Sequence, residues 1–406
     1  MKKIMILGAG VYQLPIVQKA AGMCEVILVA PVVSEDFLKY ADRVYYLDLR
    51  EKEKILEIAR KENIDGIITD QTDIPVRAVA YVADELGLPG IGYETACLFT
   101  DKGKMREKLN ELGIPTLPNK TVRTQEEAVA FFQSLGGAAI IKPADNQGSR
   151  GVYKISSKQE LEKYFALAAG VSPTGQVVVE KYATGREFVV EAMCLNYEYR
   201  ELILGDTLYF DIENAFAAKN RIFPSEAEEK LRKKVSQLNE KIITGFGLKQ
   251  GISHSEYVMD GDEVYLIETA ARGGGVFISS DLINLGTGLD TEEFLIQMAL
   301  GELKEMPETQ KDRYYCGYMA FYLPQGRVKS IRGMQKVQEL DFVHRNILYT
   351  ICEGMEIGTV EDKTSRFSII VSGASRGELL QHIEQIKEML VIEVDTDTGV
   401  KYPIWE

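Results

Sequence analysis

At 406 residues the chain is long enough for two to four compact units of ~100–200 residues. Its composition, 45% hydrophobic and 27% charged, is that of an ordinary globular protein. The formal net charge of −14 argues against a nucleic-acid or anionic-membrane partner, because phosphate surfaces are met by a surplus of lysine and arginine. Any anionic ligand must be met by cations placed locally.

Five cysteines (Cys24, Cys97, Cys194, Cys316, Cys352) stand far apart, form no C-x-x-C pair and sit mostly in apolar surroundings. They read as buried thiols in a reducing compartment. Three histidines are too few for a multi-histidine metal site. No apolar run reaches the ~18–20 residues that span a bilayer, and M-K-K-I-M-I-L-G reads as a first strand rather than a signal peptide. The expectation is a cytoplasmic protein.

In chain order, a strand over residues 3–7, the turn Gly8-Ala9-Gly10, a helix over 11–21 and a strand over 26–30 make a βαβ unit and predict a parallel sheet. Gln13 holds the place of the third glycine in G-x-G-x-x-G and Pro31 follows the second strand where an acid would be needed, so a tight turn is expected rather than a dinucleotide site. A strand over 44–47, a helix over 51–62, a strand over 66–69 and a helix N-capped by Asp73 ahead of Pro75 follow. Residues 1–98 thus read as an open α/β domain. A helix over 100–112, stopped by Gly113-Ile114-Pro115, opens a small lobe over 99–183. Within it, Thr124 with Glu127 and Ser157 with Glu160 have capping-box spacing, and residues 177–180 are a buried strand.

That lobe contains the stretch I-I-K-P-A-D-N-Q-G-S-R-G-V, residues 140–152. A buried strand ends in Lys142 and is followed by a loop with Gly148, Ser149, Arg150 and Gly151. Glycines let backbone N–H groups approach an anion, and Lys142 and Arg150 supply positive charge, which suits a polyphosphate. The lysine precedes the glycines, so this is not a P-loop. An ordinary strand-turn-strand is the alternative.

Residues 184–303 read as a larger lobe with strands over 187–195, 253–259 and 263–268 and a helix over 225–244. Asp260-Gly261 predicts a two-residue hairpin that makes the last two strands antiparallel neighbours. Glu256 and Glu268 lie on them, four residues before and seven after the turn, near each other without having to be directly opposed. Acids on facing strands with no basic residue nearby repel unless a cation joins them, and oxygen ligands select Mg²⁺ or Mn²⁺. Two solvated glutamates are the alternative. Arg272, ahead of Gly273-Gly274-Gly275, is spaced to neutralise a phosphoryl group that such a metal touches. Residues 304–406 read as a last unit of strands and helices.

Taken in order, Lys102, Lys142 with its glycine loop, Glu180 to Ala183 ahead of Gly-x-Glu, Glu256 and I-E-T-A-A-R over 267–272 resemble the ATP-grasp superfamily. The likeness is strongest to its carboxylate–amine ligases, such as L-amino-acid ligases and the synthetase units of carbamoyl phosphate synthetase large chains. It spans residues 1 to 300, with a weaker likeness of the tail to a biotin-carboxylase-like C-terminal domain. It implies an α/β and α+β architecture: an N-terminal open parallel domain, the two ATP-grasp lobes and a small C-terminal domain. ATP and Mg²⁺ (or Mn²⁺) are the implied cofactors.

By that resemblance Lys102 and Lys142 would hold ATP phosphates, and the loop carrying Gly148, Ser149 and Gly151 would fold over them. Glu180, Lys181, Tyr182 and Ala183 would form a hinge whose backbone meets the adenine edge, and Glu187 would accept the ribose hydroxyls. Glu256 and Glu268 would bind the metal, and Arg272 would stabilise the transferring phosphoryl group. His254, two residues before Glu256, would face the same way and contact substrate or ATP; a structural imidazole is the alternative. Ala270 departs from the pattern, standing where the family usually carries a metal-completing asparagine. Arg327, Arg332, Lys219 and Arg221 are candidates for a substrate carboxylate, with solvated surface cations as the alternative.

The implied activity is an ATP-dependent ligase that turns a carboxylate, an amino acid by resemblance, into an acyl phosphate and joins it to an amine. The rivals are a bicarbonate-activating carboxylase and an inactive ATP-binding regulatory module, the latter suggested by Ala270. The small carboxylate and amine are the expected partners, and the tail's likeness admits a homodimer.

Overall fold

Apolar runs near the N-terminus pair in parallel as β1 (Lys3–Leu7), β2 (Glu25–Ala30), β3 (Arg43–Tyr46) and β4 (Gly66–Ile68), in the order β3-β2-β1-β4. Such a sheet must be covered on both faces. Ile4 and Ile6 accordingly pack with Ile16 and Val17 on one side, while Met5 and Leu7 pack with Ile55, Leu56 and Ala59 on the other. The computed structural model describes residues 1–406 except 147, 213–215 and 360–364.

The small lobe is an antiparallel sheet of β5 (Asn119–Val122), β6 (Ala139–Pro143), β7 (Tyr153–Ile155) and β8 (Val177–Lys181), in the order β5-β8-β6-β7. Helices Gln125–Leu135 and Lys158–Gly170 cover it, and the hydroxyls of Thr124 and Ser157 accept the N–H groups of Glu127 and Glu160 at their N-termini. The glycine loop connects β6 to β7.

The large lobe contributes β9 (Glu187–Leu195), β10 (Glu198–Tyr209), β11 (Ala218–Phe223), β12 (Gly251–Asp260) and β13 (Glu263–Ala270). The tail adds β14 (Tyr315–Tyr322), β15 (Gly326–Arg332), β16 (Val343–Asn346), β17 (Glu356–Ile357), β18 (Arg366–Gly373), β19 (Val391–Thr396) and β20 (Gly399–Lys401). Among the described residues one eight-stranded sheet, β13-β12-β9-β10-β11-β14-β18-β16, runs from the large lobe into the tail through the β11–β14 pairing. A second sheet, β17-β15-β19-β20, completes the tail.

Several local expectations are corrected. Asp73 does not cap the helix Val76–Leu86; Pro75 holds that position, and the Asp73 carboxylate pairs with Arg272 instead. The long helix is Glu229–Gly245, not one starting at 225, because the Ser225 hydroxyl donates to Asp206. The hairpin turn is Gly261-Asp262: Asp260 still pairs with Glu263, Gly261 takes φ +62°, and the Asp260 carboxylate receives Lys181 at 2.6 Å. The strands β10 and β11 and the helix Tyr93–Phe99 were not expected from periodicity. Cys352 is exposed while the other four thiols are buried.

Gly185, in the connection from β8 to β9, lies so close to β12 that a Cβ would stand 1.8 Å from the Met259 carbonyl oxygen. Gly185→Ala must push the two apart, and urea denaturation should show a loss of about 1–3 kcal/mol, the usual range for overpacking.

Candidate functional site

A cavity of about 570 Å³ lies between the two lobes. Its lining joins Lys102, Lys142, Gly148, Ser149, Glu180, Lys181, Tyr182, Ala183, Glu187, Glu256 and Glu268. Three other expected site residues, Gly151, His254 and Arg272, are not in its wall.

The cationic side is built on β6, β8 and the helix Lys102–Glu111. Lys142 Nζ lies 2.8 Å from one Glu180 carboxylate oxygen and Arg106 Nε 2.7 Å from the other, all three side chains being buried. Burial alone would raise the Glu180 carboxyl, but Arg106 and Lys142 outweigh it and hold it at about 2. Burial lowers Lys142, with Glu180 opposing. Arg106 also donates to the Ile267 carbonyl at 2.7 Å, fastening the helix beside Glu268. Lys102, one turn earlier on the same face, lies 2.9 Å from the Glu268 carboxylate and donates to the Asn146 carbonyl at 2.9 Å.

The acidic side is the β12–β13 pair. Glu256 and Glu268 are direct cross-strand partners, because the register shifts by one residue between Glu256 and Tyr257. The expectation that no cation lies nearby is overturned: Arg221 pairs with Glu256, as Lys102 does with Glu268. His254 is 3% exposed, with Nδ1 against Glu191 and Nε2 3.1 Å from Glu256. Burial opposes a charge on His254, yet the Glu191 carboxylate raises its pKa above the ordinary value. Burial likewise opposes the Glu256 carboxylate, and Arg221 with His254 holds it well below the usual range. His254 therefore braces Glu256 from behind and does not face the cavity.

Among the described residues no group of three or more His, Cys, Asp or Glu side chains is disposed to hold a metal. The pair nonetheless suits Mg²⁺, which commonly takes one or two carboxylates and completes its shell with phosphate and water. Ala270, the cross-strand partner of His254, has no side-chain oxygen to offer a metal.

The backbone N–H groups of Lys181 and Tyr182 are already spent on the Pro118 and Ala138 carbonyls. Glu187 accepts the Tyr209 hydroxyl at 2.6 Å, and burial pushes its carboxyl up to about 7. The loop is fastened over the cavity by the Ser149 hydroxyl on Phe216 O at 3.0 Å and by Asn146 Nδ2 on Val171 O at 2.9 Å. Gly151, at φ +72°, lets it pass Val171, whose Cγ2 would lie 2.5 Å from a Cβ. Arg272 is bidentate to Asp73, at 2.7 and 2.9 Å, which ties the large lobe to the N-terminal domain. Arg327 and Arg332 are exposed and pair with Glu356 and Glu393; Lys219 pairs with Glu406.

A family model described as "ATP-grasp domain" matches residues 136–281, the stretch carrying Lys142, the glycine loop, Glu180, Glu256 and Glu268. Residues 136–281 of the chain thus carry an ATP-grasp domain. An alanine–anticapsin ligase of Bacillus subtilis is 26% identical over 338 residues, covering 74% of this chain and 71% of the relative. The carbamoyl phosphate synthase large chain of Clostridium acetobutylicum is 26% identical over 284 residues, 68% of this chain but a quarter of that longer protein. The solved structure of an L-amino acid ligase from Bacillus licheniformis superposes with a TM-score of 0.86 at 20% identity, covering 98% of this chain and 99% of that one. The shared ATP-grasp fold thus extends through the tail.

Sequence reasoning missed Arg106, Glu191, Tyr209 and the Asp73–Arg272 pair, and ranked Arg221 too low. Arg106 could have been found, since the i,i+4 spacing from Lys102 puts both cations on one helix face. Arg221 could not, because it reaches Glu256 from β11, three strands away from β12.

Arg106→Met strands Glu180 beside one cation, and urea denaturation should show a loss of about 3–5 kcal/mol, as when one partner of a buried pair is removed. Glu187 gives a pH signature of defined sign. With its carboxyl at about 7 when folded against an ordinary 4.5, the folded state binds the extra proton, so stability drains away as pH climbs from 4.5 to 7. Glu187→Gln should flatten that decline and be the more stable protein above pH 7, by on the order of 2 kcal/mol.

Proposed function

We propose that this ATP-grasp protein is a ligase that activates a small carboxylate, an amino acid in the first instance, as an acyl phosphate and joins it to an amine with release of ADP and phosphate. The observation that carries this is a single cavity lined both by Lys102 and Lys142 and by the cross-strand pair Glu256–Glu268. A triphosphate in it would have cations on one side and metal-binding oxygens on the other, which phosphoryl transfer needs more than it needs a side-chain nucleophile. The likeness to alanine–anticapsin ligase and to an L-amino acid ligase supports the amino-acid choice.

Lys102 and Lys142 would hold the phosphates, the former leaving Glu268 to do so. The loop at Gly148, Ser149 and Gly151 would exclude water above them. The segment Glu180 to Ala183 would take the adenine edge and Glu187 the ribose. Glu256 and Glu268 would hold Mg²⁺, which when bound neutralises the charge of the transferring group. His254 and Arg221 would keep Glu256 aimed and ionised. The substrate carboxylate attacks the γ-phosphorus and ADP departs; the amine then attacks the acyl carbon and expels phosphate, so that every bond formed is matched by one broken. Arg272 reaches the phosphoryl group only if its pair with Asp73 opens, and otherwise positions the N-terminal domain against it.

ADP release measured across pairs of amino acids with Mg²⁺ should require an acid and an amine together. ADP formed with bicarbonate alone would indicate the carboxylase reading, and silence across the panel with intact ATP binding would indicate a regulatory module. For an active pair, Glu268→Gln should lower turnover on the order of 10²–10³-fold, as loss of a preorganised charge does.

A further inference from the structure

A second cavity, of about 260 Å³, shares Lys102, Asn146 and Glu268 with the first and is otherwise walled largely by the N-terminal domain. It therefore meets the first cavity at the residues that would flank the transferable phosphoryl group. Between that end and the N-terminal wall the lining includes Phe99, Met105, Pro173 and Ala270. The methyl group of Ala270 leaves space here that a longer side chain would fill.

The N-terminal wall carries Arg50, Lys52 and Arg77. Lys102, Lys142, Arg106 and Arg272 are each closed off by a carboxylate within 3 Å: Lys102 by Glu268, Lys142 and Arg106 by Glu180, Arg272 by Asp73. These three are not. Arg77 gives Nε to the Thr100 hydroxyl at 2.5 Å, its carboxylate neighbour Asp101 is 3.9 Å away, and its Nη2 has no hydrogen-bond partner among the described residues. Lys52 is held by the Tyr93 hydroxyl at 3.0 Å and lies 4.3 Å over the rings of Tyr81 and Tyr93, with the exposed Glu53 at 3.9 Å. Arg50 has Asp48 at 3.5 Å, both half exposed. Asp73, on the same wall, is bidentate to Arg272. Asp145, also in the lining, accepts the Ser172 hydroxyl at 2.6 Å. In a chain of net charge −14, three cations with no carboxylate within 3 Å converge on one cavity, an arrangement that an anionic guest would complete.

We propose that this cavity takes the substrate whose carboxylate is activated, and that this substrate carries a second anionic group seated on Arg77 and Lys52. The activated end rests on the ligase reading above; the anion seat does not, since it can be occupied without turnover. A carboxylate and a phosphate share the required chemistry.

The test is calorimetric titration of the full chain, with Mg²⁺ and a non-hydrolysable ATP analogue present, using glutarate, 3-phosphoglycerate and butyrate as probes. Glutarate or phosphoglycerate should bind at least tenfold more tightly than butyrate, and whichever binds better identifies the anion. Lys52→Gln with Arg77→Gln should erase that preference, and Arg77→Lys should restore part of it, with affinity for the ATP analogue reporting an intact fold. Equal binding of all three probes, or a preference unchanged in the double variant, overturns the proposal. Should the double variant misfold, Lys52→Gln alone, at a partly buried position, must still weaken the preference or the proposal falls. Anion binding that follows Arg77 while no acid and amine pair yields ADP would uphold the seat and sink the ligase reading; ADP formed from neutral acids with no anion preference would do the reverse.

Discussion

Two carboxylates directly opposite each other on neighbouring strands repel, and the cleft is arranged to keep both charged. Glu256 is answered by Arg221 and braced by His254, which is itself held by Glu191. Glu268 is answered by Lys102. Taking these groups out of water is costly, and the attraction within each pair must offset that. The pairing therefore dictates where the helix Lys102–Glu111, β9 and β11 can lie relative to β12 and β13.

The same logic repeats on the other wall, where Glu180 is held between Lys142 and Arg106. Because Arg106 also bonds the Ile267 carbonyl, the two walls are joined through one side chain. Lys102, Lys142, Arg106, Glu180, Glu256 and Glu268 are thus each answered within the cleft, and on the ligase reading a polyphosphate with its metal would exchange partners with Lys102 and Glu268. Lys102 also fastens the base of the glycine loop at Asn146.

The residues that could be read from the chain are those whose role is local. Lys142 ends a buried apolar run and precedes glycines, Thr124 and Ser157 cap their helices at the spacing the sequence shows, and Glu256 and Glu268 flank a recognisable hairpin. Misreadings arose where a side chain serves a distant element. Asp73 looked like a cap because a proline follows two residues later, yet its carboxylate is drawn to Arg272. Glu256 and Glu268 looked offset when counted from the turn, yet the one-residue bulge brings them opposite. His254 shares a face with Glu256 as alternation requires, but Glu191 from β9 turns it into a brace.

Alternation of apolar and polar residues, turn glycines and capping residues act within a few positions of one another, so the sequence by itself determined the parallel strands near the N-terminus, the buried strand that leads into the glycine loop and the hairpin bearing the acids. Sheet order is decided by which faces bury together, and no local signal carries it. Only the tertiary structure could therefore bring Arg221 from β11 to Glu256, continue the large sheet into the tail through β14, and set Asp73 of one domain against Arg272 of another.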